Sequence, residues 1–151
     1  AGRPRLDLER EVAVQGLVLE SNARGLLSAA HDCADGGLAV ALAECCLATT
    51  VGLGARGVEF GGGDPRARLD AALFGEAQSR FVVGVPDEKA LVQLEVLAAE
   101  VGVPLVTLGR AGGGRFQLGP IDVSLGELYE AYEDGLPRVL AEGGVEPEVG
   151  R

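Results

Sequence analysis

The chain has 151 residues, 47% of them hydrophobic, and carries 13 Lys and Arg against 23 Asp and Glu, a formal net charge of −10. That length fits one domain with a sizeable core, and the acidic balance excludes a general nucleic-acid binder or a polybasic membrane binder, both of which need a basic face. Mean hydropathy is +0.21, against disorder, and no apolar run approaches the ~18 residues of a spanning helix.

Ala1–Arg5 is basic with no apolar run behind it, so no leader peptide is expected. There is no methionine, even at position 1, so the chain is expected either to have lost its start or to be cut from something longer. Cys33, Cys45 and Cys46 are odd in number and fit neither a disulfide framework nor a zinc spacing. A reduced, cytoplasmic setting is expected.

In chain order, residues 6–24 predict a helix with two apolar stripes, Leu6, Ala13 and Leu17 on one side and Leu8, Val12 and Leu19 on another. Two stripes imply contacts on two sides. Residues 26–31 predict a short buried strand and 32–37 a turn. Residues 38–47 predict a helix whose only polar residue is Glu44, hence one buried nearly all round, with Cys45 and Cys46 as packing residues. A strand is expected over 55–60, a short helix over 65–73, and a strand over 80–85 stopped by Pro86. Asp87 caps a predicted helix to about Val101, closed by Gly102 and Pro104. Strands follow at 105–108, 115–118 and 121–123. Ser124-Leu125-Gly126-Glu127 is a capping box opening a helix to about Glu133, and 136–141 adds a separate helical piece. The glycine runs 61–63 and 112–114 lack the context of a dinucleotide or Walker loop and predict plain loops. Residues 1–142 are expected to form one domain and 143–151 a frayed tail. Strands and helices mix without βαβ alternation, which points to an α+β class: a layered domain with a mixed sheet packed by helices.

Two segments can carry chemistry. In His31-Asp32-Cys33-Ala34-Asp35-Gly36-Gly37-Leu38, two carboxylates precede two glycines at a helix start. Backbone N–H groups of Gly36 and Gly37 could face a phosphate there, with a hard cation between it and the carboxylates. The alternative is a tight turn with Asp35 as an ordinary N-cap. In Phe74-Gly75-Glu76-Ala77-Gln78-Ser79-Arg80, Glu76 and Arg80 are placed to orient a polar ligand or another domain, or else to form a local ion pair. His31 is the only histidine, and without a nucleophile elbow a catalytic triad is not expected.

Ser28-Ala29-Ala30-His31-Asp32-Cys33-Ala34-Asp35-Gly36-Gly37-Leu38, running on to Glu44, resembles the hallmark of the last domain of the phosphoribosylformylglycinamidine synthase family, and Leu73-Phe74-Gly75-Glu76-Ala77-Gln78-Ser79-Arg80 resembles its second hallmark. The resemblance implies a fold like the C-terminal domain of aminoimidazole ribonucleotide synthetase. It implies a part of the ATP- and glutamine-dependent ligase that turns formylglycinamide ribonucleotide into its amidine through an iminophosphate displaced by ammonia. It further implies ATP and Mg²⁺ as cofactors of the complete enzyme, Asp32 as a metal ligand and Gly36 and Gly37 at a nucleotide. Asp35, Glu76 and Arg80 would be supporting or interdomain residues. In large single-chain members a serine contacts the nucleotide where this chain has Ala34. Catalytic groups lie on upstream domains, so the fragment alone is expected to be inactive. Partners implied are those upstream synthetase domains, a glutaminase subunit and a small accessory subunit. Two other readings are a non-catalytic scaffolding domain with a decayed nucleotide site and the C-terminal domain of a related ATP-dependent synthetase or kinase.

Overall fold

Carboxylates mark the helix starts. Asp7 Oδ1 accepts from Arg10 N at 3.0 Å and opens α1 (Leu8–Ala23), and Asp87 Oδ1 accepts from Ala90 N at 2.8 Å and opens α4 (Glu88–Glu100). Each satisfies an amide that the helix itself leaves unpaired. The computed structural model describes residues 6–56 and 68–142. Between the two capped helices lie β1 (Ala29–Asp32), α2 (Gly37–Thr49), β2 (Leu53–Ala55), α3 (Leu69–Phe74) and β3 (Phe81–Gly84). After them come β4 (Arg110–Ala111), β5 (Arg115–Leu118), β6 (Ile121–Ser124) and α5 (Leu125–Glu142).

The strands form two sheets. One is mixed, in the order β4-β2-β5-β6, with β2 parallel to β5 and the other pairs antiparallel. The other is the antiparallel ribbon β1–β3, in register from Ala29 opposite Gly84 to Asp32 opposite Phe81. The main core lies between α2, α3 and the mixed sheet and contains Cys33, Leu38, Leu42, Cys46, Leu53, Leu73, Phe116 and Leu118. A smaller core of Leu17, Leu94 and Ala98 joins α1 to α4. Strand β3 divides its neighbours between the two, Val82 against the main core and Val83 against the smaller one, as alternation along a strand requires. This is the expected α+β layered class with a mixed sheet.

Several expectations need correcting. The ordered strand starts at Ala29, three residues later than predicted, and is mostly exposed; the buried residue of the apolar run is Leu26, which precedes it. Leu105–Leu108 joins no ladder, and the mixed sheet takes its edge from Arg110–Ala111 instead. Strand β2 ends at Ala55, and residues 57–67, with the rest of the predicted strand, the 61–63 glycines and the start of the predicted helix, lie outside the described residues. Residues 143–151 also lie outside them. The two helical pieces near the end are one helix, α5, which passes through Pro137. Proline removes one donor, and on an exposed helix water can take the freed carbonyl. Cys46 and Cys33 are buried, but Cys45 is only half-buried; all three are free thiols pushed up in pKa first by burial.

The second stripe of α1 has no cover: Leu8, Val12 and Leu19 are exposed. Among the described residues no helix is long and apolar enough to cross a membrane.

Two outcomes follow from this packing. Leu42 is 6% exposed within the main core. Leu42→Asp strands a carboxylate there and should cost about 3–5 kcal/mol, read as a lowered urea midpoint. On the mixed sheet, Asp122 accepts from Arg115 Nε at 2.7 Å and Gln117 Nε2 at 3.3 Å and pairs with Arg56. Its carboxyl is held below the usual range, first by the Arg115 bond. A depressed folded pKa contributes stability above the unfolded value, and that contribution is lost as pH falls through the folded one. Asp122→Asn should therefore destabilise at neutral pH and flatten the acid limb of the stability curve below about pH 4.

Candidate functional site

Both sequence segments meet at the start of α2. Strand β1 ends at Asp32, and Cys33 N donates to Arg80 O at 3.0 Å, extending the ribbon by one bond. The chain then turns through Ala34 and Asp35 into Gly36 and Gly37, whose φ angles are 72° and 73°. Two successive left-handed residues suit glycine alone. Gly37 also packs against the end of α3, where a Cβ would lie 2.7 Å from the Phe74 carbonyl carbon and 2.9 Å from Leu73 O. The double glycine thus lets the α2 start approach the α3 backbone.

Asp35 does not cap α2. The N-cap is Gly36, which has no capping side chain of its own. Its amide instead donates to Glu76 Oε1, 3.0 Å away and 40 residues along the chain. Glu76 and Arg80 form no ion pair with each other, contrary to the local-pair alternative. The Arg80 guanidinium donates to Gly75 O at 3.1 Å and Ala72 O at 3.0 Å, closing the carbonyl end of α3. Ser79, at a φ of 60°, donates its hydroxyl to the Glu11 carboxylate on α1. Glu11 also accepts from Gln15 Nε2 at 2.6 Å, and its pKa is lowered, first by the Ser79 bond.

Asp32 stands apart from this knot, its side chain 58% exposed. His31 Nδ1 lies 2.6 Å from Asp32 O, and His31 Nε2 lies 3.1 Å from Glu44 Oε2, so the lone charged residue of α2 has a partner on β1. Among the described residues no three His, Cys, Asp or Glu side chains assemble into a group that could hold a metal. A cleft of about 640 Å³ opens between the α1 start (Leu6–Arg10) and Gln78–Ser79. Of the sequence candidates, the structure brings together Gly36, Gly37, Glu76 and Arg80 and leaves Asp32 and Asp35 on the surface. The sequence reading missed Glu11 and the His31–Glu44 pair. Ser79 inside the second segment and a solitary Glu in an apolar helix were the signals for them.

Fold and motif pair together define a layered α+β domain whose double-glycine turn is buttressed by a second segment. The sequence model described as "AIR synthase related protein, C-terminal domain" matches residues 1–118. The chain belongs to this family. It is 46% identical over 142 residues to the phosphoribosylformylglycinamidine synthase subunit PurL of Anaeromyxobacter sp. (strain Fw109-5), covering 91% of this chain and 18% of that protein. Among solved structures, PurLQS from Thermotoga maritima aligns with a TM-score of 0.69 at 18% identity, over 82% of this chain and 22% of that one. T. maritima PurL complexed with ATP aligns with a TM-score of 0.62 at 18% identity, over 77% of this chain and 21% of that one. At such identity these structures establish the fold. The chain spans about a fifth of the length of the curated relatives it matches.

The reassigned cap gives a direct test. Glu76→Ala should cost about 1 kcal/mol, as loss of an N-cap acceptor does, whereas Asp35→Ala should cost under ~0.5 kcal/mol. Glu76→Gln keeps an acceptor oxygen and should recover most of the loss. Urea unfolding of the three variants checks the order.

Proposed function

We propose that this domain is the C-terminal part of the synthetase subunit of an ATP- and glutamine-dependent ligase that converts formylglycinamide ribonucleotide to its amidine in purine biosynthesis. The observation that carries the reading is the 46% identity over 91% of the chain to a phosphoribosylformylglycinamidine synthase subunit. The domain supplies no catalytic side chain of its own, acts in the cytoplasm, and works with the upstream synthetase domains and with glutaminase and small accessory subunits. The PurLQS name of one structural relative supports such an assembly, and a PurL complexed with ATP supports nucleotide use by the whole enzyme.

Within that reading, Asp32 is this chain's contribution to Mg²⁺, and the Gly36–Gly37 backbone is its contribution to a nucleotide phosphate. The residues of this chain do not make either site alone. Asp32 is a single exposed carboxylate with no second and third ligand beside it among the described residues, whereas Mg²⁺ wants an octahedral oxygen shell. A phosphate approaching Gly36 meets an amide already bonded to Glu76. Those two facts favour a second reading, in which the domain is a scaffold inside the same enzyme and its own nucleotide site has decayed.

Asp32→Asn separates the readings, because it removes charge and keeps shape. If Asp32 serves Mg²⁺-nucleotide, the full-length variant should retain less nucleotide through gel filtration while the isolated domain melts as the parent does. Unchanged nucleotide retention would support the scaffold reading. The isolated domain should show no ligase turnover with ATP, substrate and ammonia; turnover above background would overturn the assignment of catalysis to other domains.

A further inference from the structure

Beyond Leu128, helix α5 is largely exposed, yet it is not polar all round. Tyr129, Tyr132, Leu136, Val139 and Leu140 are all 58–69% exposed. At helical spacing they fall within an arc of about 100°, one continuous stripe. At its inner end the stripe forms a wall of a cleft of about 320 Å³ between α2 and α5, lined by Glu44, Leu47, Ala48, Tyr129, Tyr132 and Glu133. The cleft thus combines two aromatic rings, an aliphatic floor and two carboxylates. Among the described residues Glu133 forms no ion pair, and Glu44 pairs only with His31.

We propose that this cleft and the stripe leading from it dock an arginine-bearing amphipathic segment of a partner polypeptide. A guanidinium fits the cleft chemically: it can stack on a tyrosine face while its N–H groups reach a carboxylate, and its weak hydration makes burial less costly than for an ammonium. Tyrosines around a small pocket, continued by aliphatic side chains, have the composition of an interface centre. Charge selects against the other occupants. A second copy brings the same Glu44 and Glu133 to this surface, from a chain of net charge −10. An anionic lipid surface is repelled for the same reason. The inference stands on the α2–α5 surface alone and does not depend on the ligase assignment.

The chain has two tyrosines and no tryptophan, and both tyrosines line the cleft. Its intrinsic emission therefore reports on this surface and no other. The probe is an end-blocked, tyrosine-free amphipathic peptide of leucine and arginine, titrated into the protein beside the same peptide with citrulline for arginine. Docking predicts a saturable change in tyrosine emission, weakened about tenfold or more by citrulline and by the Glu44→Gln/Glu133→Gln double variant. Tyr132→Leu, which keeps apolar bulk and removes the ring, should weaken it also. Glu95→Gln/Glu100→Gln on α4 removes the same charge elsewhere and should leave the affinity within about twofold. The citrulline arm uses the unaltered protein, so a variant that fails to fold does not remove the test. No saturable change overturns the proposal. Equal loss with the α4 variant overturns it by showing general attraction to an acidic surface. Concentration-dependent emission without peptide, matched by dimerisation in sedimentation and abolished by Tyr132→Leu, overturns it in favour of a second copy.

Discussion

The bond from Gly36 N to Glu76 Oε1 ties together what the rest of the domain depends on. Helix α2 begins with two left-handed glycines, and a glycine cannot cap a helix with a side chain it lacks. The first amides of α2, like those of any helix, have no partner within the helix. The segment after α3 answers this. Glu76 takes the Gly36 amide, Arg80 takes two carbonyls at the end of α3, and Ser79 reaches Glu11 on α1. Six residues thereby fix the relative positions of three helices and lead straight into β3. The close approach of Gly37 to the Phe74 backbone is the packing side of the same constraint, since a side chain at Gly37 would push α2 off α3, and one at Gly36 would collide with Val40 of α2.

Seen this way, the recognisable pair of segments is one structural unit, and its legibility in the sequence was uneven for a physical reason. Local chemistry could be read directly. Asp87 and the Ser124–Glu127 box lie within a turn of the amides they satisfy, and Pro86 stops β3 where its ring must. The Asp35 cap was misassigned because spacing rules search the adjacent residues, and the true acceptor lies 40 residues away. Strand β1 was misplaced for a related reason. Leu26 is buried and Leu27 packs against the α1–α4 core before the ribbon starts, so their apolar character does not place them in it. Leu105–Leu108 has strand-like composition, but ladder membership is decided by which edge β2 presents, and that edge is taken by Arg110–Ala111. The candidate residues themselves were found by type; what each one touches was not available from the chain order.

Exposure carries the complementary information. Two cores use one side of α1 and the inner end of α5, leaving the Leu8, Val12 and Leu19 stripe and the Tyr129–Leu140 stripe open to water. The two-stripe reading of α1 anticipated the first, since a helix that is apolar on two sides needs two neighbours. The second lay hidden because one helix was expected to end at about Glu133 and a separate piece to begin at 136, and two short pieces show no continuous face. Only an uninterrupted α5 aligns Tyr129 with Leu140.

Charge then limits what the α2 start can do unaided. A bound nucleotide phosphate needs positive charge near it, and most arginines with a described side chain are already engaged. Arg80 serves backbone carbonyls, Arg56 and Arg115 serve Asp122, Arg24 serves Glu20, Arg68 serves Asp70 and Arg138 serves Asp134. Releasing Arg80 would open the α3 end, and releasing Glu76 would uncap α2, so neither can turn to a ligand without loosening the anchor. A chain of net charge −10 has no long-range field to offset this. Under the proposed reading, a cation that accompanies a phosphate at Asp32 would arrive with the ligand or from a neighbouring domain, because the bonds that anchor this turn also occupy its charged groups.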